Sequence, residues 1–291
     1  MSWTCPDQLR GEKVADRWMV SDFIQCADLA AAAYSEGADG HSVNSHIEEK
    51  IPNGFKVLDV SRTLYDKHNH DPAYYVAKTS DGKLVVVVRG THTKADVLTD
   101  LQVWRVKFLT GSAHKGIRMA AERLLNLLDR HLQTSDSITF IGHSLGGGIA
   151  ATACCLLREH GRYLSYTRRD IAVTFGTPRL LSAALATSCQ GYVCTIINED
   201  DIVPYLSLTS SFEFLGQKVD ALHVLGAFLK AVVTTQHPPG NIMHIKSHTL
   251  EQMCDTTHFN RVSVRPSPNS YNDHSMEAYK RSLKDVLTLL S

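Results

Sequence analysis

The sequence predicts an α/β fold, a mostly parallel central sheet with helices on both faces, and three observations carry that expectation. Strand-like and helix-like runs alternate from Leu84 to Asn198. One run, Leu84-Val85-Val86-Val87-Val88, is apolar throughout, as a strand covered on both faces must be. A glycine-flanked serine, Gly142-His143-Ser144-Leu145-Gly146, stands between the strand-like Ser137–Ile141 and an alanine-rich helical run from Gly147 to Leu157.

In chain order, Val20 to Ser35 carries Phe23, Ile24, Ala27, Leu29, Ala30 and Ala33 behind Ser21 and predicts an amphipathic helix capped by that serine. Glu36 to Phe55 is polar and turn-rich and predicts a loop, and Phe55 to Leu64 a strand. Tyr74–Thr79 and Leu84–Arg89 flank Ser80-Asp81-Gly82-Lys83, a hairpin signal. Lys94 to Phe108 mixes Val97, Leu98, Leu101, Trp104 and Phe108 with charges, the pattern of a helix packed over the site or of a lid across 93–108. A long helix is expected over Ile117–Leu132, strands over Asp170–Gly176 and Tyr192–Asn198, and a short helix over Leu180–Cys189. A final helix follows His274, with Met276, Tyr279, Leu283, Val286, Leu287 and Leu290 on its apolar side. The expected organisation is an extension over 1–20 and one domain over 21–291 with an insert at 205–258, in which Ala221 to Val233 forms an apolar helix too short to span a bilayer.

With 291 residues, 43% of them hydrophobic, the chain can fill one large core. Its 30 basic and 30 acidic residues cancel, which argues against a nucleic-acid partner and against electrostatic docking to anionic membranes. No secretory signal shows in the charged stretch from Met1 to Val20, and no window reaches the roughly 20 apolar residues of a membrane span. Seven cysteines form an odd set with Cys154 and Cys155 adjacent, so reduced thiols in an intracellular protein are expected. No cofactor and no metal are expected: His244 and His248 have i, i+4 spacing, but no carboxylate accompanies them in a metal motif.

The glycines around Ser144 have a steric purpose, because strand and helix converge on either side of it. The helix start behind it turns unpaired N–H groups and a positive dipole end toward the place where an oxyanion forms, with the Leu145 N–H as first donor. A second donor belongs just past a neighbouring strand, where Arg89-Gly90-Thr91 ends the valine run. A serine hydroxyl needs a histidine to take its proton, and the histidine needs a carboxylate to fix its tautomer. Spacing leaves Glu199, Asp200 and Asp201 open for the acid, and His223, His237, His244, His248, His258 and His274 for the base, with His274 favoured by its loop before the last helix.

These residues match a family. Val88-Arg89-Gly90-Thr91, His114-x-Gly116, Gly142-His143-Ser144-Leu145-Gly146, Phe175-Gly176-Thr177-Pro178-Arg179, Asn198-Glu199-Asp200-Asp201-Ile202-Val203-Pro204 and Asp273-His274 resemble, in order and wording, the class 3 lipases, which are α/β-hydrolases. The resemblance covers roughly 29–291. It implies a serine esterase acting on lipid esters, most simply an acylglycerol lipase, with Ser144, Asp201 and His274 as the triad and Thr91 and Leu145 as oxyanion donors. Asp96 to Leu101 and Pro238-Pro239-Gly240-x-x-x-His244-Ile245 are similar to the intracellular eukaryotic members, including the diacylglycerol lipases. The expected partner is a lipid ester at a lipid–water interface, met by peripheral contact. Phospholipase A1 or short-chain carboxylesterase activity is the alternative within the enzymes, and a catalytically silent lipase-like scaffold or lipid-binding protein the alternative outside them.

Overall fold

The computed structural model describes residues 12–66, 71–90, 105–135, 137–159, 170–205, 236–253 and 269–290. Among the described residues the main sheet has nine strands, and its centre is parallel: β4 (Leu84–Val88), β7 (Ile138–His143), β8 (Ile171–Phe175), β10 (Val193–Asn198) and β12 (Asn241–Lys246) lie side by side. Antiparallel strands flank it, β3 (Tyr74–Thr79) and β2 (Phe55–Val60) on one side, β13 (Thr249–Gln252) and β1 (Glu12–Lys13) on the other.

Side chains of a strand alternate between faces, so an all-apolar strand feeds two cores. In β4, Leu84, Val86 and Val88 pack on one side with Ile117, Leu124 and Ala150. Val85 and Val87 pack on the other with Ala27, Leu29, Tyr279 and Leu283. The first cover consists of α3 (Lys115–Leu127) and α5 (Leu145–Glu159), the second of α1 (Arg17–Ala32) and α7 (Met276–Leu289). The hairpin forms as expected, with Gly82 at φ +91° in its turn.

Several expectations need correction. The first helix is capped by Asp16, whose carboxylate accepts from Trp18 N–H at 2.8 Å, rather than by Ser21. The stretch read as a loop contains α2 (Gly40–Glu48). There Asp39 accepts from the Ser42 N–H at 2.8 Å, Ser42 Oγ accepts from the Asp39 N–H, and Val43 and Ile47 are fully buried one turn apart. The strand from Phe55 stops at Val60, and Arg62–Leu64 is a 3-10 turn. The helix expected to reach Leu132 breaks at Leu128, and α4 (Asp129–Leu132) continues it.

Residues 91–104, most of the expected lid, lie outside the described residues, and Arg105–Phe108 is a strand, β5, not helix. It pairs with β6 (Gly111–His114) in a small antiparallel sheet completed by β9 (Leu181–Ser182), which precedes α6 (Ala183–Ser188), and β11 (Gln236–His237). Much of the expected insert, with Ala221 to Val233, is likewise outside the described residues. Its stretch from 236 to 253 is sheet, and β12 extends the parallel core beside β10. The expected extension over 1–20 is part of the fold from Glu12 onward, since β1 pairs with β13.

Candidate active site

The carboxyl ends of β4, β7, β8 and β10 sit in register, Val88 opposite Gly142, His143 opposite Phe175, and Phe175 opposite Ile196. Loops leaving that edge of a parallel sheet converge on one crevice, where such folds place their chemistry. Ser144 lies at the β7–α5 turn with φ +58°, a left-handed conformation that a residue with a Cβ adopts only when its surroundings force it. The forcing contacts are visible. Ser144 N–H donates to Phe175 O at 2.8 Å, and the N–H of Gly147 donates to Ser144 O at 3.0 Å. A Cβ on Gly142 would lie 2.6 Å from the Gly146 carbonyl carbon, and one on Gly146 would lie 2.5 Å from that of Arg89. The glycines therefore let the turn, the helix start and the end of β4 touch. Leu145 opens α5, so its N–H has no acceptor within the helix.

The acid and the base are joined. His274 Nδ1 donates to the Asp201 carboxylate, 2.9 Å from Oδ2 and 3.0 Å from Oδ1. Asp201 is wholly buried, and it also accepts from the Tyr279 hydroxyl at 2.6 Å and the Val203 N–H at 2.9 Å. Burial first, and then the Asp201 charge, holds the Tyr279 hydroxyl well above its ordinary pKa, so it stays a neutral donor. The remaining His274 nitrogen, Nε2, and the Ser144 hydroxyl are both buried, and neither has a hydrogen-bond partner among the described residues. These are the acceptor and donor that proton transfer from serine to histidine requires, and buried polar atoms left open in this way mark a functional site.

Gly176 follows the residue that holds the Ser144 amide and has φ +57°. A Cβ there would stand 2.6 Å from Asp201 Oδ2 and 2.8 Å from His274 Nδ1. Gly176→Ala is expected to push the acid–base pair out of line and to lower kcat/KM by about 100-fold, the cost of a misplacement near 1 Å; steady-state kinetics on the folded variant checks it.

His143, at the end of β7, is buried beside the base, with ring centroids 4.5 Å apart from those of His274. Burial chiefly, with the His274 charge second, depresses its pKa from 6.5 to about 3. The unfolded chain takes up this proton near pH 6.5 while the folded chain refuses it down to about pH 3, so stability present above 6.5 is lost as pH falls through that window. The limiting slope is about 1.4 kcal/mol per pH unit. His143→Phe should flatten the acid limb of a Tm-against-pH curve between pH 7 and pH 4.

Of the expected site residues, the structure brings Ser144, Leu145, Asp201 and His274 to one edge of the sheet, while Thr91 lies outside the described residues. The Glu199 carboxylate, open on spacing, is engaged elsewhere, since its Oε1 accepts from the Ser247 N–H, and the bond to the base is made by Asp201 rather than by Asp200, whose N–H donates to Asp273. Of the other histidines, His244 Nε2 donates to the Glu199 carbonyl and His248 lies 3.5 Å from Asp285, so neither serves Ser144. Sequence reading did not find the roles of Gly176 and Tyr279. The one available signal was a tyrosine hydroxyl on the otherwise apolar face of the helix after the base.

Residues 85–211 match the class 3 lipase family, Lipase (class 3). Diacylglycerol lipase-beta of Mus musculus is 31% identical over 192 residues, 60% of this chain and 28% of that protein. Diacylglycerol lipase-alpha of Homo sapiens is 25% identical over 207 residues, 64% of this chain and 19% of that protein. The chain thus spans less than a third of the length of these relatives. Among solved structures, the Lip2 lipase from Yarrowia lipolytica superposes with a TM-score of 0.64 at 17% identity, covering 93% of this chain and 96% of that one. A Rhizomucor miehei triacylglyceride lipase superposes with 0.59 at 20% identity, covering 82% and 87%. These likenesses establish the α/β-hydrolase fold. The family match falls across the strands and turns that carry Arg89, Ser144 and Asp201, so the part of the chain that builds the site is similar to the class 3 lipases.

Proposed function

We propose that this chain is a serine-dependent carboxylic ester hydrolase acting on acylglycerols, with diacylglycerol as the preferred substrate. The observation that carries the reading is the arrangement at the sheet edge: an open Ser144 hydroxyl, an open His274 Nε2, and a His274 Nδ1 held by buried Asp201. The names of the relatives, diacylglycerol lipases beta and alpha, support the substrate class.

In the first step Ser144 Oγ attacks the acyl carbonyl while His274 Nε2 takes the hydroxyl proton. Asp201 keeps the other ring hydrogen on Nδ1 and stabilises the imidazolium. The tetrahedral oxyanion is met by the Leu145 N–H at the helix start and by Thr91. His274 then returns its proton to the leaving alcohol as the carbon–oxygen bond breaks. Water, deprotonated by the same nitrogen, releases the fatty acid and restores Ser144. Such bonds between nucleophile and base are often unmade without substrate and close in the complex.

Among the described residues no helix is long and apolar enough to cross a membrane. Contact with lipid is therefore proposed to be peripheral, at the surface of an emulsion or bilayer. Initial rates on emulsified diacylglycerol, triacylglycerol, phosphatidylcholine and a soluble short-chain ester test the assignment. Diacylglycerol is expected to be cleaved at least about tenfold faster than phosphatidylcholine and the short-chain ester, a discrimination within the reach of pocket contacts. Equal or faster cleavage of the phospholipid would assign a phospholipase instead.

A further inference from the structure

Behind the nucleophile runs a chain of hydrogen bonds that the reaction itself does not use. The Gly90 N–H lies 3.3 Å from the Tyr34 hydroxyl oxygen, that oxygen 2.8 Å from His143 Nδ1, and His143 Nε2 2.7 Å from the His274 carbonyl oxygen. Chemistry fixes every direction. A carbonyl only accepts, so His143 Nε2 carries the hydrogen. The imidazole is neutral, so Nδ1 is bare and accepts, and the Tyr34 O–H donates to it. The Tyr34 oxygen is then free to accept from Gly90.

We propose that Tyr34 and His143 are positioning residues of the ester-hydrolysing site, tying the strand end at Gly90 to the main chain of His274. The inference rests on the reading of Ser144, Asp201 and His274 given above. The chain starts one residue before Thr91 and ends on the base, so one run of three bonds sets the separation between the segment that leads to an oxyanion donor and the proton acceptor. Its third member, His143, is the sequence neighbour of Ser144, which places the nucleophile beside the same tether.

Ring packing adds to the tether. His143 lies tilted by 33° against His274, and Tyr34 and Tyr279 meet His143 edge-on at 5.7 and 6.2 Å. His274 thus has a ring on one side and a carboxylate at its Nδ1, which limits its rotation. The groups facing His143 are Tyr34, His274, Asp201 and Tyr279. A protonated His143 would set a second cation 4.5 Å from a base that must itself become cationic in the reaction, and burial prevents this. Tyr34 is held neutral as well, its pKa raised chiefly by burial.

The test uses the full chain with Tyr34→Phe, His143→Phe and the double variant, all read as kcat and KM for an ester and normalised to the fraction labelled by a fluorophosphonate. Tyr34→Phe removes one hydroxyl and with it both outer bonds of that ring, and it should lower kcat per labelled site by about tenfold. His143→Phe keeps a ring but loses both bonds and should lower it by about 100-fold, with KM within twofold in each case. Because the residues act as one chain, the double variant should be no slower than His143→Phe alone.

A merely structural role would lower Tm and the labelled fraction while leaving kcat per labelled site within threefold, and that result overturns the proposal. So do losses that multiply in the double variant, or a rise in KM at constant kcat. Where His143→Phe fails to fold, Tyr34→Phe decides by the same threshold. A wild-type chain without serine labelling or ester turnover would remove the triad reading, and this inference with it. Wild-type turnover with both variants unaffected would remove this inference alone.

Discussion

Ser144→Ala is expected to lower ester turnover by roughly 10⁴- to 10⁶-fold while leaving the fold in place, because catalytic groups that act as a unit fail together. The hydroxyl is buried and makes no hydrogen bond among the described residues, so its removal breaks no contact of that kind there. The strain at φ +58° remains, since alanine also carries a Cβ, and the amide bond to Phe175 O is independent of the side chain. Stability should accordingly change little, within about 0.5 to 1 kcal/mol. The variant and wild type are compared by initial rates on one emulsified ester and by thermal melts. Losing activity and stability together would mean that the serine holds the turn rather than doing chemistry.

Asp201→Asn is expected to cost on the order of 10⁴ in kcat. The native carboxylate is fully buried and accepts from three donors, the His274 Nδ1–H, the Tyr279 O–H and the Val203 N–H. An asparagine of the same shape offers one accepting oxygen and one NH2. If the oxygen stays with Val203, the NH2 faces His274, which must then present a bare Nδ1 and carry its hydrogen on Nε2. That tautomer cannot take the serine proton. The Tyr279 hydroxyl faces the same conflict, so part of the loss should appear as lower stability, about 1 to 3 kcal/mol for an unsatisfied buried donor. Kinetics at several pH values, with urea unfolding of the same preparation, separates the two effects.

How much of this was legible in the chain depends on what each residue's surroundings demand. The central strands could be read because burial on both faces leaves only apolar, β-branched residues, as in Leu84–Val88 and Ile171–Phe175. The elbow could be read because strand and helix approach within bonding distance of Gly142 and Gly146, and no other residue fits there. The final helix showed its 3.6-residue period. By contrast, α2 hides its apolar face in Val43 and Ile47 alone, and its start depends on an Asp39–Ser42 capping box inside a polar stretch. Strand β12 was obscured because Pro238, Pro239 and Gly240 precede it and it follows a long segment without period-2 alternation.

At the site, the serine was marked by its own neighbours, whereas the acid and the base were fixed only through their resemblance to a family. Spacing along the chain cannot distinguish Asp201 from Glu199 and Asp200. Three-dimensional placement does, since Asp201 is the one of the three bonded to His274 among the described residues, and the Glu199 carboxylate accepts from the Ser247 N–H. Tyr34, His143, Gly176 and Tyr279 act across long stretches of chain, where no local pattern records the contact, as for the bonds from Tyr34 to His143 and from Tyr279 to Asp201.

The most direct measurement is covalent capture of the nucleophile. The folded chain is treated with a fluorophosphonate, its intact mass is taken, and the modified peptide is sequenced by fragmentation. A single adduct per chain on Ser144, absent from Ser144→Ala and formed far more slowly in Asp201→Asn, is the result expected from a serine activated by His274 and Asp201. An adduct on any other residue, or a Ser144→Ala chain that still cleaves the ester at the wild-type rate, would contradict it.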